Sequence, residues 1–169
     1  SDVYKRQGTK IASGSADNTI RFWNAKTGAF VKSLKGVTPF CLSYSPDGGA
    51  IATPYGRYIR IFNVETGEEI REFDAHTRAV RSLSFSPDGA SLASCCSDTF
   101  RLWDLQSGKE LQMRHAETQF ASVCFSSDEG IIIGSTRMCL VYDVNTRRAK
   151  KIDTVSYTHP EPTRHASIS

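Results

Sequence analysis

The chain has 169 residues, of which 39% are hydrophobic and 23% charged, a composition typical of a globular protein with a sizeable core. The 21 lysines and arginines exceed the 18 aspartates and glutamates by only three, so we expect no binding to nucleic acid through clustered basic charge. No apolar run approaches the roughly 20 residues of a membrane-spanning helix, and no secretory signal is recognisable. We therefore expect a soluble intracellular protein, cytoplasmic or nuclear, with no membrane partner.

Both ends of the sequence resemble translated sequencing adapter. Residues 1–7 back-translate to a string similar to a transposase adapter, and residues 155–159 back-translate to the reverse complement of its core. We expect 1–7 to be a non-native or disordered lead and 155–169 a non-native or disordered tail, with 8–154 as the native segment. The alternative is that both ends are genuine disordered termini.

One period of about 40 residues runs through the chain. A Ser-Pro-Asp-Gly turn begins at Ser45 and again at Ser86, 41 residues later. Aromatic residues followed by a polar one recur with spacings of 39, 41 and 39 residues, at Trp23, Phe62, Trp103 and Tyr142. A period of about 40–45 residues with four strand-sized pieces in each unit is typical of a propeller blade.

The unit at 77–113 shows these four strands most clearly. Residues 79–85 alternate in polarity and end at a Pro-Gly turn, which predicts a strand and a hairpin. Three further short strands are predicted at 92–95, 100–103 and 110–113. No stretch keeps a 3.6-residue apolar period, so we expect almost no helix.

In these features the chain resembles the WD-repeat family, whose repeat ends in a Trp-Asp dipeptide like the one at Trp103. The resemblance covers 8–154 and implies an all-β fold, a partial β-propeller of four-stranded antiparallel blades with the first blade incomplete. It implies a non-catalytic protein-interaction scaffold with protein or peptide partners and no cofactor. The blades are expected near 8–34, 37–74, 77–113 and 117–153.

The third unit carries residue types that also occur in a Ser-His-Asp triad, namely His76, Ser94, Asp98 and Trp103. In the WD-repeat family such residues form a structural hydrogen-bond network that links the loop before a blade to the turn between its second and third strands. The resemblance therefore implies polar groups that are satisfied rather than reactive. We predict no catalytic residue.

The other units keep only part of this pattern. The first has Ser13, Asp17 and Trp23, and the fourth has His115 but Ile133 in place of the serine. In the second and fourth units we expect apolar packing to replace the network, from Tyr58, Ile59, Ile131 and Ile132.

The turn that carries Asp98 carries an arginine in the second and fourth units, and the resemblance places this turn on the partner-binding face. We assign to that candidate face Arg57, Arg78, Arg137, Tyr55 and Gln119. Guanidinium groups pair bidentately with carboxylate and phosphate, so the partners are expected to include acidic or phosphorylated peptides. The alternative, slightly favoured by the sequence, is that the arginines are solvated loop charges.

Two further features have ordinary structural interpretations. The five cysteines lack C-x-x-C spacing, and we predict reduced, buried residues and no metal site at Cys41, Cys95, Cys96, Cys124 and Cys139. The basic run at 147–151 resembles a nuclear-localisation cluster, but we predict that it protects the outer edge of the last blade.

Three other functions compete with the scaffold. The repeats could be the sensor or regulatory part of a larger multidomain signalling protein whose catalytic domain is missing. A substrate receptor of a cullin-type ubiquitin ligase is disfavoured, because the family's Trp-Asp-x-Arg pattern is absent after Trp103. A hydrolase built on Ser94 is the least favoured.

Overall fold

The computed structural model describes residues 2–4, 9–35, 41–115, 119–126, 130–135, 139–143, 146 and 148–152. This part of the chain contains sixteen strands and no helix, as expected for an all-β fold. It accordingly has no helix with the length and apolar character needed to cross a membrane. In chain order the strands are β1 Asp2–Tyr4, β2 Lys10–Ser15, β3 Thr19–Asn24, β4 Phe30–Lys35, β5 Ser43–Tyr44, β6 Ala50–Tyr55, β7 Tyr58–Asn63, β8 Glu69–Asp74, β9 Ser82–Phe85, β10 Ser91–Cys95, β11 Thr99–Asp104, β12 Glu110–His115, β13 Phe120–Phe125, β14 Gly130–Ser135, β15 Cys139–Asp143 and β16 Arg148–Ile152.

The strands form four antiparallel sheets of four strands each, and each sheet is a meander of consecutive strands, hereafter a blade. The Ser-Pro-Asp-Gly turns close the first hairpin of the second and third blades. In the third blade, Ser86 Oγ donates to Asp88 Oδ1 at 2.5 Å, and Gly89 takes a φ of +75°. In the second, Ser45 Oγ donates to Asp47 Oδ1 at the same distance. The turn predicted from the sequence is thus closed by hydrogen bonds between its own side chains.

Neighbouring blades contact each other through their first strands, β1, β5, β9 and β13, which lie innermost. A serine of β5 and a serine of β9 each accept a backbone hydrogen bond from the next blade. Ser43 Oγ accepts from Phe85 N–H at 3.1 Å, and Ser84 Oγ accepts from Phe125 N–H at 3.0 Å. Because Ser43 and Ser84 are 41 residues apart, the two contacts stand at equivalent positions of the second and third blades.

The core lies between the facing sheets, in one apolar cluster for each pair of neighbouring blades. Between the second and third blades, Phe73 packs on Trp103 with ring centroids 5.4 Å apart. Between the third and fourth, Phe100 packs on Tyr142 at 5.9 Å. The recurring aromatic residue therefore packs against the blade that precedes it.

The first blade contains four strands, although its innermost strand is only three residues long. That strand, Asp2–Tyr4, falls inside the segment 1–7 predicted as a non-native or disordered lead. Its backbone pairs with β2, with Val3 opposite Ala12. The adapter origin of this segment stays a prediction, and the tail at 155–169 lies outside the described residues.

Strand alternation corrects two sequence-based predictions in the fourth blade. Ile131 and Ile133 are 0% and 1% exposed, whereas Ile132 between them is 40% exposed. Successive side chains of a strand face opposite sides, so the prediction that Ile132 packs in the core was wrong. Cys124 is likewise exposed, while Cys95 is buried as predicted.

Residues 148–151 of the basic run lie on β16, the fourth strand of the last blade. Arg148 and Lys150 are exposed, and β16 pairs only with β15 among the described strands. This position agrees with a charged strand that protects the sheet edge.

Candidate functional site

His76 lies in the loop between β8 and β9 and is only 3% exposed. Its Nε2 is 2.8 Å from Ser94 Oγ, and its Nδ1 is 2.8 Å from Thr99 Oγ1. The indole N–H of Trp103 donates to the same Ser94 oxygen at 2.9 Å. The structure therefore brings together three of the four residues assigned to the network and adds a threonine to them.

The network continues through Cys96. Its Sγ lies 3.0 Å from Thr99 Oγ1, and its thiol donates to Asp98 Oδ1 at 2.8 Å. Each group thus has a neighbour on both sides until the carboxylate is reached. We call this arrangement the donor chain; from first donor to last acceptor it runs through Trp103, Ser94, His76, Thr99, Cys96 and Asp98.

The donor chain fixes the tautomer of His76. If Nε2 carried the proton, Ser94 Oγ would accept from both His76 and Trp103, and its own hydroxyl hydrogen would have no acceptor. With the proton on Nδ1, Ser94 donates to Nε2 and His76 donates to Thr99, so every buried polar group is paired. Burial lowers the pKa of His76 from 6.5 to about 4, with a further contribution from Arg101 that Asp98 opposes. The imidazole is therefore neutral at pH 7.

Asp98 does not touch His76, in contrast to the arrangement expected from the resemblance. Cys96 N–H donates to the Thr99 carbonyl at 2.9 Å, so only two residues stand at the corner of the β10–β11 turn. Asp98 is the second of these, and its side chain is 43% exposed, with Oδ2 3.1 Å from Arg78 Nε. The hydrogen bond from Cys96 is the main cause that lowers the pKa of Asp98, and the charge of Arg78 also lowers it. Thr99 takes the position against His76.

Ser94 is not placed to act as a nucleophile. It is fully buried, and its oxygen lies between the Trp103 indole and the His76 ring. A catalytic serine needs an accessible oxygen and a site for the developing oxyanion. This geometry is that of a structural network.

The first blade holds a smaller version of the network. Trp23 Nε1 donates to Ser13 Oγ at 2.9 Å. Asp17 instead closes its own turn, accepting from Thr19 N–H at 3.1 Å and from Thr19 Oγ1 at 2.6 Å, and it pairs with Arg21 at 2.8 Å. The bond from the Thr19 hydroxyl is the main cause of the lowered pKa of Asp17.

No such network is formed among the described residues of the fourth blade. His115 is exposed at the end of β12, and the structure does not bring it to Tyr142. Ile133 stands where Ser94 stands in the third blade and has no hydroxyl to bond an imidazole. In the second blade, Thr53 is fully buried and Ile59 packs in the core cluster as predicted, whereas Tyr58, also expected to pack there, is only half-buried.

The candidate partner-binding residues lie beside the donor chain. His76 N–H donates to the Arg57 carbonyl at 3.1 Å, and Val80 N–H donates to the Gly56 carbonyl at 2.9 Å. The loop that carries Arg78 is therefore bonded to the turn that carries Arg57. We call this surface the arginine rim; its described members are Arg57, Arg78, Tyr55 and Gln119.

Both described arginines of the rim form ion pairs. Arg57 NH2 lies 3.2 Å from Asp74 Oδ2 and donates to Tyr58 Oη at 2.9 Å. Arg78 pairs with Asp98, as described above. The Arg57 and Arg78 side chains are 48% and 69% exposed. They are accessible but are not free charges.

The remaining rim residues extend this surface along the same end of the blades. Tyr55 is 40% exposed, with the Arg60 guanidinium carbon 4.1 Å from its ring centroid. Gln119 is exposed and precedes Phe120, whose N–H donates to the Ser97 carbonyl at 3.1 Å. The third arginine assigned to this face, Arg137, lies outside the described residues.

Comparisons with known proteins found a matching family profile and similar solved structures. The profile of the WD40 family, described as "WD domain, G-beta repeat", matches residues 3–24 and 67–104. No curated protein sequence matches the chain. The chain is similar to the solved structure of U3-55K, with a TM-score of 0.81 and 17% identity, and to that of the RRP9 WD40 repeats, with a TM-score of 0.81 and 18% identity.

Each likeness covers 90% of this chain and 50% of the other, so the chain spans about half the length of these two structures. At such identity the likeness shows the fold alone. The four sheets of four strands and the two similar structures show the fold of WD-repeat β-propeller blades, and the WD40 profile matches two stretches of the chain.

Proposed function

We propose that the protein is a non-catalytic interaction module whose arginine rim binds acidic or phosphorylated segments of partner proteins. WD40 repeat domains typically serve as protein-interaction scaffolds, and the residues that each one displays determine what it binds. The observation that carries the proposal is the bonding of the Arg78 loop to the Arg57 turn, which joins two arginines in one rim.

The ion pairs of the arginine rim are weak enough for a partner to replace the aspartates. Asp74 and Asp98 have side chains 61% and 43% exposed, and an exposed ion pair contributes only about 0–1 kcal/mol. A partner phosphate carries a charge of about −1.5 to −2 and three acceptor oxygens, and it can engage a guanidinium bidentately. A phosphorylated segment can therefore replace these aspartates as the partner of Arg57 and Arg78.

The donor chain holds the loop of the arginine rim in place through the hydrogen bonds of His76. His76 is bonded through its ring to two strands of the third blade and through its N–H to Arg57. The loop that carries Arg78 is thus held before any partner arrives. A preorganised site loses less conformational entropy on binding than a mobile loop does.

The test uses peptide pools, because the partner is unidentified. A phosphoserine pool with randomised flanks and the matching unphosphorylated pool are titrated against the protein at about 0.15 M salt, where weak surface attraction is screened. We expect the phosphoserine pool to bind more tightly. We expect the double variant Arg57→Glu, Arg78→Glu to lose about tenfold or more of that affinity, since a hydrogen bond to a charged group contributes roughly 1.5–3 kcal/mol.

The matched control is the double variant Lys26→Glu, Lys109→Glu, which makes the same change of charge in exposed turns at the other end of the blades. It should leave binding unchanged. Equal binding of both pools, or an equal loss in the control and the rim variant, contradicts the proposal.

A further inference from the structure

A second surface lies at the end of the blades opposite the arginine rim, between the second and third blades. There the β5–β6 and β9–β10 turns, β8 and the end of β11 enclose a cavity of about 560 Å³. We call it the interblade groove and define it by Pro46, Asp47, Ile61, Ile70, Asp88 and Leu105.

The groove has an apolar floor and one strongly exposed apolar wall. Ile61 belongs to the core cluster between these two blades, and Leu105 packs against that cluster. Ile70 on β8 is 57% exposed and borders the cavity. The β5–β6 and β9–β10 turns approach each other at the groove, since a Cβ added to Gly89 would lie 3.4 Å from the Pro46 ring. An apolar side chain that entered the groove would be covered on several sides.

The groove is acidic. Among the described residues, its lining includes two carboxylates, Asp47 and Asp88, and no lysine or arginine. Asp88 Oδ1 accepts from Ser86 Oγ at 2.5 Å and from Ala90 N–H at 2.9 Å, and the Ser86 bond is the main cause of its lowered pKa. None of the ion pairs formed within the described part of the chain includes Asp88. Asp88 is therefore a carboxylate that favours the ionised form and has no cationic partner among the described residues.

We propose that the interblade groove binds a basic segment of a partner protein, which places an aliphatic side chain against Ile70 and Leu105 and a lysine or arginine at Asp88. An apolar cavity beside a fixed charge suits a side-chain pair of this kind, because the apolar contact supplies affinity and the charge selects the partner. This surface goes beyond the proposed function, since it differs from the arginine rim in position and in the sign of its charge. One protein of this kind can hold an acidic segment at one end of its blades and a basic segment at the other.

The test titrates ¹⁵N-labelled protein, used as the whole chain, with short Gly-Ser peptides that contain one leucine and one arginine separated by zero to three glycines. The matched peptides carry glutamate in place of arginine. We expect the leucine–arginine peptides to shift the amide resonances of Ile70, Asp88 and Leu105, and the glutamate peptides to leave them unchanged.

Two variants check the assignment. Asp88→Asn keeps an oxygen that can accept from Ser86 and Ala90, so the turn is retained, and it should weaken binding about threefold to tenfold. Ile70→Ser, on an exposed strand position, should weaken binding independently of charge. The rim variant Arg57→Glu, Arg78→Glu should not affect it, which separates this proposal from the function of the rim. Absence of shifts at the groove, equal shifts with glutamate peptides, or unchanged affinity in Asp88→Asn overturns the proposal.

Discussion

The ring of His76 lies 2.8 Å from both Ser94 Oγ and Thr99 Oγ1, so a loop that leads into the third blade is held by that blade's second and third strands. The same residue donates its backbone N–H to Arg57 of the second blade. His76 therefore joins two blades and the arginine rim at one buried point.

The threonine should matter more to stability than the aspartate. Thr99→Val keeps the shape of the side chain but leaves the buried Nδ1–H of His76 without an acceptor, which costs roughly 1–3 kcal/mol. Asp98→Ala removes an exposed carboxylate and should cost less than about 1 kcal/mol. Urea unfolding of both variants measures the difference. A larger loss in Asp98→Ala would show that the aspartate, as the family resemblance implied, carries the network.

The two serines that accept an indole N–H should differ in their effect on stability. Ser94 bonds both Trp103 and His76, whereas among the described residues the half-buried Ser13 bonds only Trp23. We expect Ser94→Ala to lower the free energy of unfolding by about 2–3 kcal/mol and Ser13→Ala by about 1 kcal/mol. Thermal and urea unfolding provide the comparison, and equal losses would contradict the difference in bonding.

Stability should fall in mild acid because of His76. Its pKa is about 4 in the folded chain, against 6.5 for an ordinary histidine. Between these values the unfolded chain binds a proton that the folded chain does not, so the contribution is complete above pH 6.5 and is lost as the pH falls through 4. A difference of this size corresponds to roughly 3 kcal/mol.

The measurement is urea unfolding at neutral pH and near pH 4.5 in the unmodified chain and in His76→Gln. We expect the loss of stability between the two conditions to be smaller in the variant by about 2–3 kcal/mol. The same loss in both proteins would mean that another group causes the acid sensitivity.

The serine contacts between blades should be visible in amide hydrogen exchange. Ser84→Ala should speed exchange at Phe125 N–H by about 2-fold to 10-fold, the equivalent of one net hydrogen bond. Ser43→Ala should do the same at Phe85 N–H. Each variant is the control of the other, because neither should affect the other's amide. Uniform acceleration at both amides would indicate general destabilisation instead.

The repeat itself could be predicted because its markers are local. A Ser-Pro-Asp-Gly turn needs only its own serine and aspartate to close, and the aromatic positions that follow it are read directly from their spacing. Strand positions in the third unit agreed with the structure to within a few residues. The alternation that exposes Ile132 was also present in the sequence, but a run of three isoleucines conceals which of them faces the core.

The roles of Thr99 and Cys96 could not be read from residue types alone. Trp103 follows Ser94 by nine residues, whereas Trp23 follows Ser13 by ten. The third unit is therefore one residue shorter than the first between the serine and the tryptophan. This difference in spacing was the signal that the turn geometry differs and that the residue after Asp98 would face His76.

The ion pairs of the rim could not be predicted from the sequence either. Asp74 lies 17 residues from Arg57, and Asp98 lies 20 residues from Arg78. Their pairing depends on which strand ends meet in the folded blade. The sequence predicted the arginines but not the partners that hold them.

The tautomer of His76 tests the central claim most directly, since the claim is that a continuous donor chain holds the loop beside the rim. Long-range ¹H–¹⁵N correlation spectra at pH 7 distinguish the two ring nitrogens. We expect a neutral ring with the proton on Nδ1 and none on Nε2. A proton on Nε2, or on both nitrogens, would contradict it.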